Sequence, residues 1–235
     1  MAYVFAAPPQ VVVPIAGSTD LFPVHRIYCV GRNYEEHAKE MGFSGREPPF
    51  FFAKPADALL PVAEGAGAMP YPPETGNLHH EMELVVAIGK GGRRISAAEA
   101  RAHIWGYAVG LDMTRRDLQG EAKKLGRPWE IGKGFDFSAP ASSVKPIEKT
   151  GEITRGRIWL KVNGQTRQDS DVSKMIWNVN ETIEHLSRYF ELVPGDLIFT
   201  GTPEGVAAVV PGDVLEGGVD GVGVLRVKID PPAQD

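Results

Sequence analysis

Cysteine is almost missing from this chain. Cys29 is its single example in 235 residues, so no intrachain disulfide can form and a zinc site built on cysteines is excluded. It lies in the apolar run IYCVG, where a small core side chain in a reducing compartment is the expected reading. Long hydrophobic runs are missing too. No unbroken apolar stretch approaches the roughly 18 residues of a membrane span, and MAYVFAAPPQVVVPIAG is interrupted by prolines and has no basic start of the kind secretion signals carry. A cytoplasmic chain without a membrane partner is therefore expected. There is no long basic run, and the net charge of −5 is spread in mixed sign, which argues against nucleic acid as a partner. The phosphate-loop pattern is absent, and GKGG reads as a turn. His79 and His80, adjacent on a strand, point to opposite faces and cannot share a metal.

What is abundant is glycine and proline, 27 and 19 residues, scattered along the chain. That pattern predicts many short strands and turns, an α+β fold of mainly β character. Residues 1–20 read as an N-terminal arm and residues 21–235 as a single catalytic domain. PFFFAKP reads as a buried strand, EGAGAMPYPPETGN as a long irregular connection, and GYAVGLDMT as an apolar strand. Asn163-Gly164 in IWLKVNGQTRQ predicts a tight type I′ hairpin. Helices are expected where Asn33 precedes Glu36 and where Ser96 precedes Glu99, both spaced as capping boxes. Further helices are expected in TRRDLQGEAKKLG, ended by Gly126 and Pro128, and in NETIEHLSRYFELVPGD, with Asn180 as N-cap and Pro194-Gly195 as the stop.

The chemistry concentrates in HHEMELVVAIG. Glu81 and Glu83 are two apart on a strand, so both project to one face while Met82 and Leu84 fill the other. Two carboxylates that close repel unless a proton or a cation intervenes. Asp112 interrupts another apolar strand, and a buried aspartate requires a partner or a metal. Three carboxylates without a soft ligand favour a hard ion, Mg²⁺ or Mn²⁺. Such a site would stay negative, so an anionic substrate would need added cations, for which Arg116 and Lys133 are candidates. His37 and Glu40 form an i, i+3 pair, a spacing that lets a carboxylate orient an imidazole as general base.

Together, VGRNYEEHAKEMG, FFAKP, LHHEMELVVAIG, GYAVGLDMTRRDLQ, GRPWEIGKGFDFSAPAS, LKVNGQTRQ and GDLIFTGTPEGV resemble the fumarylacetoacetate hydrolase family from about Phe22 to Ile229. The likeness is to its short acylpyruvase branch. The resemblance implies a mixed β-sandwich roll and a homodimer. It implies one Mg²⁺ or Mn²⁺ per subunit held by Glu81, Glu83 and Asp112, with His37 and Glu40 activating water. Arg116, Gln119, Lys133 and Thr202 fall where similar proteins touch the keto acid and the oxyanion. The activity it implies is hydrolysis of a C–C bond in a 2,4-diketo acid, with a fumaryl end favoured, to give fumarate and pyruvate in aromatic catabolism. Oxaloacetate decarboxylation, or isomerisation and decarboxylation of a ring-cleavage product, is the alternative on the same scaffold. For a distal carboxylate, Arg127 and Arg167 are candidate cations.

Overall fold

The computed structural model describes residues 3–36, 46–63 and 66–233. His37 and Glu40 lie outside the described residues. Two large mixed sheets pack face to face in a β roll, as the turn-rich sequence predicts. The larger runs in the order Phe50–Lys54, Ile27–Gly31, Leu197–Phe199, Met82–Ile88, Ile104–Leu111, Ala139–Ser142, Leu59–Val62, with Lys145–Pro146 pairing to Ile104–Leu111 beside that path. The smaller runs Gln165–Asp171, Arg157–Val162, Val214–Val219, Gly223–Asp230, Gly67–Pro70. The last of these lies inside the segment expected to be irregular, and pairs parallel to Gly223–Asp230.

Met82–Ile88 is the central strand, buried at every position. Its alternation sorts side chains between two cores. Met82, Leu84, Val86 and Ile88 face the second sheet, packing with Leu160, Leu215 and Val227. Val85 and Ala87 face Phe199, Ala108 and the N-terminal hairpin residues Val13 and Phe22. That hairpin pairs Val12–Pro14 with Leu21–Pro23. Cys29 lies in the same core, and burial pushes its thiol well above the usual range, as befits a packing residue.

Local expectations met mixed fates. Asn163 and Gly164 both have positive φ, 52° and 80°, joining Arg157–Val162 to Gln165–Asp171 as the hairpin requires. The helix Arg116–Lys124 forms, and Gly126 turns the chain beyond it at φ 63°. Ser96 Oγ does bond Glu99, but only a 3₁₀ turn follows, Ala100–His103. The helix Val179–Tyr189 is capped by Asn178 rather than Asn180, because only Asn178 has a glutamate, Glu181, three residues on. Asn180 instead bonds Glu152, and the helix stops at Phe190, before Pro194-Gly195.

The helix expected after Asn33 runs into residues outside the described ones. The buried amide of Asn33 donates to the carbonyls of Trp177 (2.8 Å) and Thr200 (2.7 Å) and accepts from Trp177 N (2.8 Å). From the other side, Trp177 Nε1 donates to Glu47 O (3.0 Å), and the Arg46 guanidinium lies 4.1 Å from the indole centroid. Residues 33 and 46–47 are thus fastened to the same tryptophan. No described helix is long and apolar enough to cross a membrane.

Candidate metal centre

Strand geometry delivers the three acids to one point. Glu81 leads into Met82–Ile88, and Asp112 follows Ile104–Leu111; these strands pair with Met82 opposite Leu111, and Asp112 N donates to Glu81 O (2.9 Å). Glu83 stands opposite Gly110 on the same face as Glu81. All three carboxyl groups are buried, and one oxygen from each lies within 4.8 Å of the others. Oxygens around one Mg²⁺ or Mn²⁺, at about 2.1 Å from the ion, are separated by about 3–4 Å. Three converging carboxylates are the hard donor set such an ion takes, with positions left for water and substrate.

Glu83 carries the electrostatic strain of the cluster. Burial, Asp112 and Glu81 together hold its carboxyl well above the ordinary range, and the Gly201 N–H (2.8 Å) only partly offsets them. That amide reaches Glu83 because Gly201 adopts φ 98°, and a Cβ there would lie 2.7 Å from Asn33 Cβ.

Three cations answer the three acids. Lys133, 2% exposed at the end of the helix Glu130–Lys133, places Nζ 2.6 Å from Asp112 Oδ2 and 2.8 Å from Glu81 Oε2. Burial pulls its ammonium down, but Asp112 and Glu81 outweigh burial and leave it above its usual value. Arg116, at the start of the helix Arg116–Lys124, donates to Glu81 and, at 2.7 Å, to Gln119 Oε1. Its Nε lies 3.4 Å from His79 Nδ1. Burial and Arg116 lower the imidazole of His79 to about 4, so it stays neutral beside the guanidinium.

The third cation, Lys54, was not anticipated. It is 2% exposed, its Nζ is 2.8 Å from Asp112 Oδ1, and it donates to the carbonyls of Met113 (3.2 Å) and Lys133. Asp112 Oδ1 has the ion pair without a hydrogen bond of good geometry, so this oxygen retains capacity for a further electrophile. The sequence signal was a lysine at the end of the apolar PFFFAK strand.

Glu81, Glu83, Asp112, Arg116, Gln119, Lys133 and Thr202 all line one cleft, together with Arg32, Trp129 and the Phe50 and Phe52 rings. Its free volume of about 30 Å³ is room for one ion or water. Arg127 and Arg167 are exposed and do not line it, whereas Arg32 does, its guanidinium 5.0 Å from the Phe50 centroid. Thr202 is held by Gln168, a second residue the sequence did not single out. A ladder of Thr114–Arg115, Leu78–His79 and Ala208–Val209 ties the strand that carries His79 to the one that leads into Arg116.

The fold is a mainly β roll whose cleft gathers three buried acids. The sequence matches the Fumarylacetoacetate (FAA) hydrolase C-terminal family over residues 26–230, and the chain belongs to it. It is 49% identical over 185 residues to the fumarylpyruvate hydrolase of Ralstonia sp, covering 79% of this chain and 94% of that protein. It is 45% identical over 204 residues to the mitochondrial oxaloacetate tautomerase FAHD1 of Rattus norvegicus, covering 87% of this chain and 91% of that protein. The crystal structure of fumarylpyruvate hydrolase from Pseudomonas aeruginosa in complex with Mn²⁺ and pyruvate superposes with a TM-score of 0.96 at 55% identity, covering 98% of this chain and 100% of that one.

Proposed function

We propose that this protein is a metal-dependent hydrolase that cleaves a C–C bond in an acylpyruvate, with 3-fumarylpyruvate giving fumarate and pyruvate. The observation that carries the reading is the convergence of buried Glu81, Glu83 and Asp112 in a cleft also lined by Lys133 and Arg116. The relative from Pseudomonas aeruginosa, which holds Mn²⁺ and pyruvate, supports it. A bound Mg²⁺ or Mn²⁺ would supply Lewis-acid polarisation of the keto acid. Glu81, Glu83 and Asp112 are the residues that would hold it.

The chain's own groups have separable tasks. His37, oriented by Glu40, takes a proton from water so that hydroxide can attack the distal carbonyl. Lys133 and the amide hydrogens of Gln119 stabilise the oxyanion that develops there, and its collapse breaks the C–C bond, so that pyruvate leaves as its enolate and takes up the proton that His37 removed from water. Gln119 is oriented for this because its carbonyl oxygen accepts from Arg116. Arg116 and Thr202 bind the carboxylate end. Without an ion, the carboxylates of Glu81, Glu83 and Asp112 are balanced by Lys54, Lys133 and Arg116, so a divalent ion leaves the cleft positive. Arg116 and Lys133 are the added cations expected beside the acids, Lys54 joins them, and the balance suits a substrate with two carboxylates.

Similarity to an oxaloacetate tautomerase supports a second reading, in which oxaloacetate is processed without water attacking a distal carbonyl. The deciding experiment is pyruvate release with Mg²⁺ or Mn²⁺ from fumarylpyruvate, acetylpyruvate, fumarylacetoacetate and oxaloacetate, side by side. Fumarylpyruvate is expected to be turned over fastest. No metal-dependent release from any acylpyruvate would overturn the proposal. The same reading takes residues 21–235 as one catalytic domain of a cytoplasmic homodimer engaged in aromatic catabolism, and light scattering of the purified protein tests the dimer.

A further inference from the structure

Gln168 lies in the second sheet, on the polar strand Gln165–Asp171, where its neighbours Arg167 and Asp169 are exposed. Its own side chain is 1% exposed and makes four contacts. Nε2 donates to Thr202 Oγ1 (2.8 Å) and to Pro203 O (2.8 Å). Oε1 accepts from Met82 N (3.1 Å) and lies 3.2 Å from His80 Nδ1.

This amide cannot be turned over. Pro203 O is an acceptor only and needs the NH₂ end, while Met82 N–H is a donor only and needs the oxygen. The orientation is therefore fixed by the backbone on both sides. Two consequences follow. His80 must carry its proton on Nδ1. Thr202 Oγ1 must accept from Gln168, so its own hydroxyl proton is directed away from that amide, and it has no acceptor among the described residues. Thr202 is buried and lines the cleft beside the three carboxylates. A hydroxyl has one proton to donate and two lone pairs that accept; Gln168 takes up one lone pair and leaves the proton for another partner.

We infer that Gln168 is a positioning residue that keeps the Thr202 proton free to donate into the cleft, favouring an acceptor such as the carboxylate of a 2-keto acid. The inference rests on the proposed function, which places a keto acid there. Its effect is on binding, so it is read without turnover.

The test measures pyruvate binding to Mn²⁺-loaded protein by calorimetry, alongside Mn²⁺ affinity in the same samples. Gln168→Glu keeps the contact to Met82 but puts a carboxylate oxygen against Thr202, drawing its proton away from the cleft. It is expected to weaken pyruvate binding about 10-fold, the worth of one hydrogen bond to a charged group. Mn²⁺ affinity should not change. Thr202→Val should weaken pyruvate binding by a similar factor, and Thr202→Ser should restore it. The double variant Gln168→Glu/Thr202→Val should be no weaker than either single variant, because both remove the same donor.

Losses that multiply in the double variant, or wild-type binding in Gln168→Glu, would overturn the inference and leave the proposed function standing. If the wild-type protein with Mn²⁺ bound no pyruvate, the inference would fall, while the assay of pyruvate release decides the proposed function separately. Should Gln168→Glu not fold, a crystal structure of the wild-type protein with Mn²⁺ and pyruvate decides. Thr202 Oγ1 is expected within hydrogen-bond distance of a pyruvate oxygen while still accepting from Gln168. A hydroxyl turned away from the ligand would refute the assignment.

Discussion

Lys133 Nζ and Asp112 Oδ2 face each other at 2.6 Å, both side chains within a few per cent of complete burial. The pair joins a helix residue to the end of a central strand, and it sets what each partner does when the other is removed.

Lys133→Met leaves Glu81 and Asp112 in a dry site with one cation fewer. Removing one member of a buried ion pair costs about 3–5 kcal/mol, so the metal-free variant should unfold at a clearly lower temperature than the metal-free parent. Because Mn²⁺ then relieves more repulsion, its stabilising shift should be larger in the variant. Turnover should still fall about 100-fold, through loss of the oxyanion donor. Thermal unfolding with EDTA and with Mn²⁺, paired with an assay of pyruvate release, reads all three effects.

Asp112→Asn keeps shape but removes a charged ligand. Outer-shell partners of a metal ligand are worth about 10–100-fold in affinity, and a direct ligand should be worth at least that. Mn²⁺ titration calorimetry checks it. Unchanged affinity would exclude Asp112 from the coordination sphere.

Lys54→Met tests the cation that the sequence did not reveal. The substitution strips Asp112 Oδ1 of its ion pair and the carbonyls of Met113 and Lys133 of their donor. A loss of about 3–5 kcal/mol is expected, against about 0.5 kcal/mol or less for Lys90→Met on an exposed position. Urea unfolding of the three proteins compares them directly.

His37→Ala addresses water activation apart from metal binding. Pyruvate release should drop by about 100-fold or more, with Mn²⁺ affinity unaltered. Parent-like turnover would remove His37 from the reaction.

The sequence made the acids readable because each broke a strong local pattern. Glu81 and Glu83 share a strand face, and Asp112 sits in an apolar run; both facts survive in the structure. The hairpin at Asn163-Gly164 was readable for the same reason, since a local backbone conformation selects those residues. What was hidden depends on packing between distant segments. Lys54 looks like any lysine until its strand is laid two away from Leu197–Phe199 and its head meets Asp112. Gln168 is one polar residue among several on its strand, and only the second sheet's approach to Thr202 sets it apart. The spacing of Asn33 to Glu36 says nothing of the amide's partners, the Trp177 and Thr200 carbonyls, which lie far along the chain. For the helix Val179–Tyr189 the signal was present, since Glu181 matches Asn178 and not Asn180.

Trp177 receives the chain from both directions, by the Asn33 amide on one side and by Arg46 and the Glu47 carbonyl on the other. Residues 33 and 46–47, which bracket His37 and Glu40 in the sequence, are therefore tied to one side chain. The separation of these two points is set when the protein folds, so the entropy of bringing them together is met then rather than at each turnover. A change at Trp177 would also reach both points at once.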